Sequence, residues 1–277
     1  MTARRRPATP DGRPLPRARK RFGQHFLEPA WIARMVDSLQ ATPEDTFLEI
    51  GPGRGALTRP LAARVGRLVC VEIDRELAAL LRPQLPPHAR LVEADFLNVD
   101  VAALLHEERK PVRVAGNLPY NVASPIIFRL LDASAGGTCL SDATLMLQKE
   151  VADRLLAAPG DGDYGALTVQ VALRAAVEPV LTLPPGAFRP PPKVTSALVR
   201  LRFHPPSVPV GSLAAFERVV RGVFLQRRKT ILNALKPVAD TFGRAAADVL
   251  AQAQVDPGKR PGDLRLDEMA ALTRAVL

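Results

Sequence analysis

The sequence predicts an α/β protein in which a doubly wound, mostly parallel sheet is followed by a small all-helical unit. Three observations lead there. Five short apolar runs alternate with segments of helical periodicity, two further apolar runs follow with no long helix between them, and beyond about residue 211 only helical periodicity is left. Strands alternating with helices are what a chain wound back and forth over a parallel sheet requires.

The chain opens on a Pro/Arg-rich segment. Arg4, Arg5, Arg6, Arg13, Arg17, Arg19, Lys20 and Arg21 face only Asp11, so the first 21 residues supply +7 of the formal +10. With a pI near 10.4, the balance implies a polyanionic partner. Residues 1–18 read as a basic disordered tail, whose part up to Pro16 suits a solubilising extension and an RNA-contacting arm equally.

T-F-L-E-I-G, R-L-V-C-V-E-I-D, A-R-L-V-E-A-D, V-R-V-A-G-N and A-T-L-M-L-Q are the five strands. Each is rich in Val, Ile or Leu without polar alternation, as expected of strands buried on both faces. Helices such as L-T-R-P-L-A-A-R and D-R-E-L-A-A-L-L-R lie between them. V-E-P-V-L-T-L and T-S-A-L-V-R-L-R-F enclose the proline-rich P-P-G-A-F-R-P-P-P-K, which predicts an antiparallel hairpin closing one sheet edge. Seven strands result, the last antiparallel. Phe203 to Gly211 is the linker. Residues 19–204 therefore form the sheet domain and 205–277 the helical one.

Several classes fall away. No apolar run is long enough to span a bilayer, and the N-terminus shows no apolar signal region. Cys70 and Cys139 sit in apolar runs and read as reduced core residues. His25, His88, His106 and His204 are scattered and form no metal-ligand spacing with them. The expectation is a cytoplasmic protein without structural metal.

E-I-G-P-G-R-G-A-L-T joins the first strand to its helix. Gly51, Gly53 and Gly55 remove side chains where a cofactor must approach the backbone, beside a helix N-terminus able to hold an anion. About 20 residues on, the second strand ends in V-E-I-D, where Glu72 can bind both hydroxyls of a ribose. The third ends in E-A-D-F, which sets Asp95 on the same edge. Three strand ends with the expected polar groups predict a nucleoside pocket, open between NAD and S-adenosylmethionine. The spacing G-x-G-x-G, in place of G-x-G-x-x-G, disfavours a pyrophosphate.

N-L-P-Y follows the fourth strand. The exocyclic amine of adenine is a poor nucleophile, because its lone pair is delocalised into the ring. Two acceptors on its N–H groups let the nitrogen pyramidalise towards a methyl donor. Asn117 offers a side-chain carbonyl and Leu118 a backbone carbonyl, which Pro119 leaves free by lacking an N–H and by favouring extended geometry before it. Tyr120 offers a face for an unstacked base. Such a site works by positioning and polarisation and needs no dedicated base.

In order, the chain carries R-K-R-F-G-Q-H-F-L, E-I-G-P-G-R-G-A-L-T, V-E-I-D, N-L-P-Y-N, M-L-Q-K-E-V-A-D-R-L, Y-G-A-L-T-V, A-F-R-P-P-P-K-V-T-S-A and Q-R-R-K-T-I-L-N-A-L. Together these closely resemble the ribosomal RNA adenine N6-dimethyltransferases, and within them the bacterial small-subunit branch of the kasugamycin-sensitivity type. The resemblance runs from about Arg19 to the C-terminus. It implies a Rossmann-like class I methyltransferase sheet, S-adenosylmethionine as methyl donor without a metal, and a cofactor set of His25, Leu27, Gly51, Gly53, Glu72, Asp95 and Asn117. Position 25 is asparagine in the commonest pattern, and histidine keeps a ring nitrogen for the hydrogen bond. The resemblance gives Asn117, Leu118 and Tyr120 the roles above and places Phe188 on the other face of the adenine. Its substrate is a pair of adjacent adenines in the 3′-terminal hairpin loop of small-subunit rRNA, each methylated twice on a subunit precursor by a monomeric enzyme.

Arg227, Arg228 and Lys229 cluster at the predicted start of a helix, with Arg218 and Arg221 one to three turns before. With the family likeness they are candidates for phosphate contact, alongside the bland reading of a solvated helix face. Three other functions compete: a large-subunit rRNA dimethylase of the antibiotic-resistance type, a non-catalytic RNA-binding assembly or transcription factor, and a small-molecule methyltransferase. N-L-P-Y, M-L-Q-K-E-V and R-R-K-T-I-L-N-A-L favour the small-subunit enzyme. The intact glycine turn, Glu72 and Asn117 weigh against a pure binder, and the basic surface against a small substrate.

Overall fold

The computed structural model describes residues 26–108 and 110–277. The basic tail, with its expected disorder, and the predicted ligand His25 lie outside the described residues. The chain then runs β1 (Phe26–Leu27), α1 (Pro29–Leu39), β2 (Thr46–Ile50), α2 (Thr58–Ala62), β3 (Arg67–Glu72), α3 (Arg75–Leu81), β4 (Ala89–Glu93), α4 (Val101–Leu105) and β5 (Val112–Asn117). It continues with α5 (Ala123–Ala135), β6 (Leu140–Gln148), α6 (Lys149–Leu156), α7 (Ala166–Ala172), β7 (Ala175–Leu183), β8 (Phe188–Arg189) and β9 (Ser196–Phe203). Four helices follow: α8 (Leu213–Leu225), α9 (Ile231–Asp240), α10 (Ala246–Ala253) and α11 (Leu266–Val276).

Seven strands form one sheet in the order β4-β3-β2-β5-β6-β9-β7. The pairs from β4 through to β6 are parallel, while β9 runs antiparallel to both β6 and β7. The last strand in the chain is thus the antiparallel one, inserted between its neighbours, and β7 takes the edge. Pro179 fits there, since an edge strand can spare a ladder N–H, and the β7 register shifts between Pro179 and Leu181.

The unbroken apolar runs follow from the two-residue period of a strand. In β2, Phe47 packs on one face with Leu61, Leu68, Cys70 and Met146, while Leu48 and Ile50 pack on the other with Val69, Val114 and Ile127. All five residues of β2 are buried. β4 departs from the expectation of burial on both faces: only Leu91 is buried, because this strand is the other sheet edge and lacks a second neighbour.

A third apolar core joins α8 to α11 and also takes in Tyr164, Val169 and Leu173 from around α7. Tyr164 donates to the Leu264 carbonyl at 2.8 Å. Buried Arg174 pairs with Asp132 at the end of α5 and with Glu217 on α8. The helices are thereby held to the sheet by apolar packing and by this ion-pair cluster. Arg227, Arg228 and Lys229 lie in the turn before α9 and not in the helix, which begins only after extended Thr230.

Candidate methyltransferase cleft

The chain passes from β2 outward through β3 to β4, then returns to β5 on the other side of β2. The loops leaving β2 and β5 therefore diverge, and a cleft opens at the carboxyl ends of these strands, where such sheets hold ligands. It is lined by Leu27, Ile32 and Met35 from the N-terminal side, by Glu49 and Ile50 at the end of β2, by Gly51 to Arg54 and Ala56 to Leu57 after it, by Glu72 and Ile73, by Ala94 to Leu97, and by Asn117 to Val122. Of the predicted cofactor set, Leu27, Gly51, Gly53, Glu72, Asp95 and Asn117 meet in this one cleft.

Gly51 adopts φ +70°, a conformation that favours glycine, and a Cβ placed there would meet no protein atom within 4 Å. The missing side chain leaves open room against the backbone on the cleft wall. Gly55 serves packing instead: a Cβ there would fall 2.5 Å from Leu81 Cδ1. The helix after the turn, α2, has only five residues. Its dipole is correspondingly small, so the expected anion-holding helix end contributes little.

Glu72 is buried, and its two oxygens accept from Gly53 N at 2.8 Å and from Asp74 N at 2.9 Å. Burial pushes its carboxyl above the ordinary value, and these two hydrogen bonds pull the other way. With at most four acceptor sites on a carboxylate, capacity is left for a ligand hydroxyl. Asp95 accepts from Leu97 N at 3.0 Å and from the Asn98 amide at 3.2 Å, which fixes its carboxylate at the rim.

After β5 the chain leaves the sheet through N-L-P-Y. Leu118 N donates to Met146 O, and Val122 N to Pro119 O. No backbone N–H outside the helices and strands donates to the Leu118 carbonyl among the described residues. Tyr120 is partly buried, its hydroxyl 2.7 Å from Ser196 Oγ. Burial raises its phenol above the ordinary value, with the Ser196 bond acting in the opposite direction.

Phe188 is not in the cleft. It is fully buried beside Met35, Phe47 and Leu198, and its backbone pairs with Leu27 in the short β1–β8 ribbon. Arg221 lies exposed on α8 with its guanidinium 6.0 Å from the Phe128 ring centroid. Arg228 and Lys229 are exposed, whereas Arg227 donates to the carbonyls of Gly162 and Asp161.

The family described as ribosomal RNA adenine dimethylase matches residues 16–275. The chain belongs to the ribosomal RNA adenine dimethylase family. Among its relatives are two proteins named ribosomal RNA small subunit methyltransferase A. That of Nitrosococcus oceani is 46% identical over 93% of this chain and 96% of its own length. That of Pseudomonas aeruginosa is 43% identical over 93% of each. Two solved structures share the fold. A dimethyladenosine transferase from Plasmodium falciparum superposes with a TM-score of 0.74 at 25% identity, covering 90% of this chain and 96% of that one. The 23S rRNA methyltransferase ErmE gives 0.64 at 30%, covering 91% and 99%.

The dimethylase cleft fits a nucleoside-bearing methyl donor: Gly51 leaves open room against the backbone, and the carboxylates of Glu72 and Asp95, held by backbone N–H groups, offer acceptors for hydroxyl and amine donors. The dimethylase chain also holds two groups that the motif reading passed over. Glu49 lines the cleft but is 1% exposed, and burial raises its carboxyl to about 7. Ser196 is fully buried behind Tyr120. Each is a polar residue inside an apolar strand run, and that anomaly was the available signal.

Proposed function

We propose that the protein transfers methyl groups from S-adenosylmethionine to N6 of two adjacent adenines in the 3′-terminal hairpin loop of small-subunit rRNA, dimethylating each. The observation that supports this reading is that Asn117, Leu118 and Tyr120 line the same cleft as Gly51, Glu72 and Asp95. When bound, S-adenosylmethionine supplies an electrophilic methyl group. Glu72 then holds the ribose hydroxyls, Asp95 the adenine edge, and Leu27, Gly51, Gly53 and His25 the remainder of the donor. Asn117 and Leu118 accept from the two N6–H groups and turn the nitrogen lone pair towards the methyl. Tyr120 supports the base from one face, and the family likeness gives Phe188 the other, a role that requires its ring to leave the core in which it packs.

Arg221, Arg228 and Lys229 on the helical unit meet phosphates of the small-subunit precursor, in a 1:1 complex of enzyme monomer and subunit. Small-subunit relatives at 46% identity, against 30% for ErmE, support the small subunit over the large one as substrate. The intact cleft supports an enzyme over a binding factor.

Purified protein with methyl-labelled donor should label immature small subunits that lack the modification and leave modified subunits unlabelled. No transfer to the immature particle, or equal transfer to naked large-subunit rRNA, refutes the assignment. Asn117→Ala should lower the transfer rate by about 10²–10³-fold while keeping subunit affinity.

A further inference from the structure

Ser196 opens β9 in the run S-A-L-V and is fully buried between two neighbouring strands. A hydroxyl at such a place has lost its water and requires a partner. The partner is the phenol of Tyr120, 2.7 Å away. The two ends of this bond differ in rigidity. Ser196 is in register with Gln148 on β6 and with Leu183 on β7, and the preceding Thr195 carbonyl accepts from Lys149 N at 2.9 Å. Its backbone is thus held from both sides. Tyr120 lies on the loop between β5 and α5, partly exposed on the cleft wall. A tyrosine ring tethered at Cβ and at its hydroxyl keeps one tilt, whereas a ring tethered only at Cβ can swing about two side-chain torsions.

We propose that Ser196 is a positioning residue for methyl transfer, which sets the tilt of the Tyr120 ring against which the target adenine stacks. This rests on the reading of Tyr120 as the support for the base. The bond explains why a serine, and not another alanine or valine, occupies the first position of a buried strand. It acts on the transfer step alone, because neither oxygen belongs to the group of residues assigned to the methyl donor.

The test uses the full chain, labelled S-adenosylmethionine and unmodified small subunits. Ser196→Ala should lower kcat roughly three- to ten-fold, the worth of one net hydrogen bond, with KM for the donor and affinity for the subunit unchanged. Tyr120→Phe removes the same bond from the loop side without touching the strand and should match it. The double variant should be no slower than either single one, since both changes delete one interaction. Ser196→Thr, which keeps the hydroxyl, should restore the rate. Multiplying effects in the double variant, a raised donor KM in Ser196→Ala, or a wild-type kcat in that variant would each overturn the proposal. Tyr120→Ala tests the underlying reading separately. Full transfer by it removes the base support and the proposal together, whereas an inactive Tyr120→Ala beside a fully active Ser196→Ala removes only the role of Ser196.

Discussion

Arg227 is bound to the backbone of Gly162: its Nη1 donates to that carbonyl at 2.6 Å, and its Nη2 to the Asp161 carbonyl at 2.9 Å. A guanidinium with two forks committed to a loop is a poor phosphate ligand, and Arg227 separates in this respect from its exposed neighbours Arg228 and Lys229. Arg227→Ala should lower stability by about 1 kcal/mol, because water can reach the released carbonyls, and should leave the salt dependence of subunit binding almost intact. Arg228→Ala and Lys229→Ala should leave the urea midpoint unchanged, weaken binding, and each flatten the plot of log affinity against log salt by about one unit. A flattened slope in Arg227→Ala alone would reverse this division.

Glu72 ties the end of β3 to the glycine turn through Gly53 N and to the start of α3 through Asp74 N. A glutamine can accept from one of these N–H groups but turns an NH₂ towards the other. Glu72→Gln should therefore disturb the turn and weaken donor binding by about ten- to a hundred-fold, or about 1.4–2.8 kcal/mol. Titration calorimetry with S-adenosylmethionine or its demethylated product reads this directly, and unchanged affinity would remove Glu72 from the donor site.

Phe188 has no exposed surface and packs with Met35, Phe47 and Leu198. Phe188→Ala should cost about 3–5 kcal/mol from cavity formation alone, so its loss of activity would say little. Phe188→Leu keeps much of the volume and should cost less than about 1.5 kcal/mol. If the ring leaves the core to cover the adenine, Phe188→Leu slows transfer with the fold intact. A wild-type rate in Phe188→Leu would leave Phe188 as a core residue only.

The strands were legible because a strand buried on both faces has no place for polar alternation, and the cleft because its carboxylates stand at strand ends, as Glu72 and Asp95 do. The β1–β8 ribbon was not legible, since two paired residues carry no period. Phe188 could not be placed either: an aromatic residue in a proline-rich loop reads alike whether it faces a ligand or the core. For Arg227 the obstacle was distance along the chain, because its partners on the loop before α7 lie 65 and 66 residues away. Ser196 and Glu49 were readable in principle, each being a polar group buried in a largely apolar strand.

Glu49 gives the molecule a pH dependence. Its carboxyl is raised from 4.5 to about 7, first by burial, with the charge of Glu72 adding to it. Between these values the folded protein binds a proton that the unfolded chain releases, so folding stability falls as pH rises through this window. The loss approaches about 3 kcal/mol above pH 7 and is absent below 4.5. Glu49→Gln lacks this term. Subtracting its unfolding free energy from that of the wild type should give a difference that declines steadily from pH 5 to pH 8, and two parallel curves would refute the assignment. A cationic ligand in the cleft favours the ionised carboxylate. Binding of the sulfonium donor near pH 6 should accordingly release more protons from the wild type than from Glu49→Gln, in which only Glu72 of this buried pair is left to titrate, and calorimetry in buffers of different ionisation enthalpy resolves the difference.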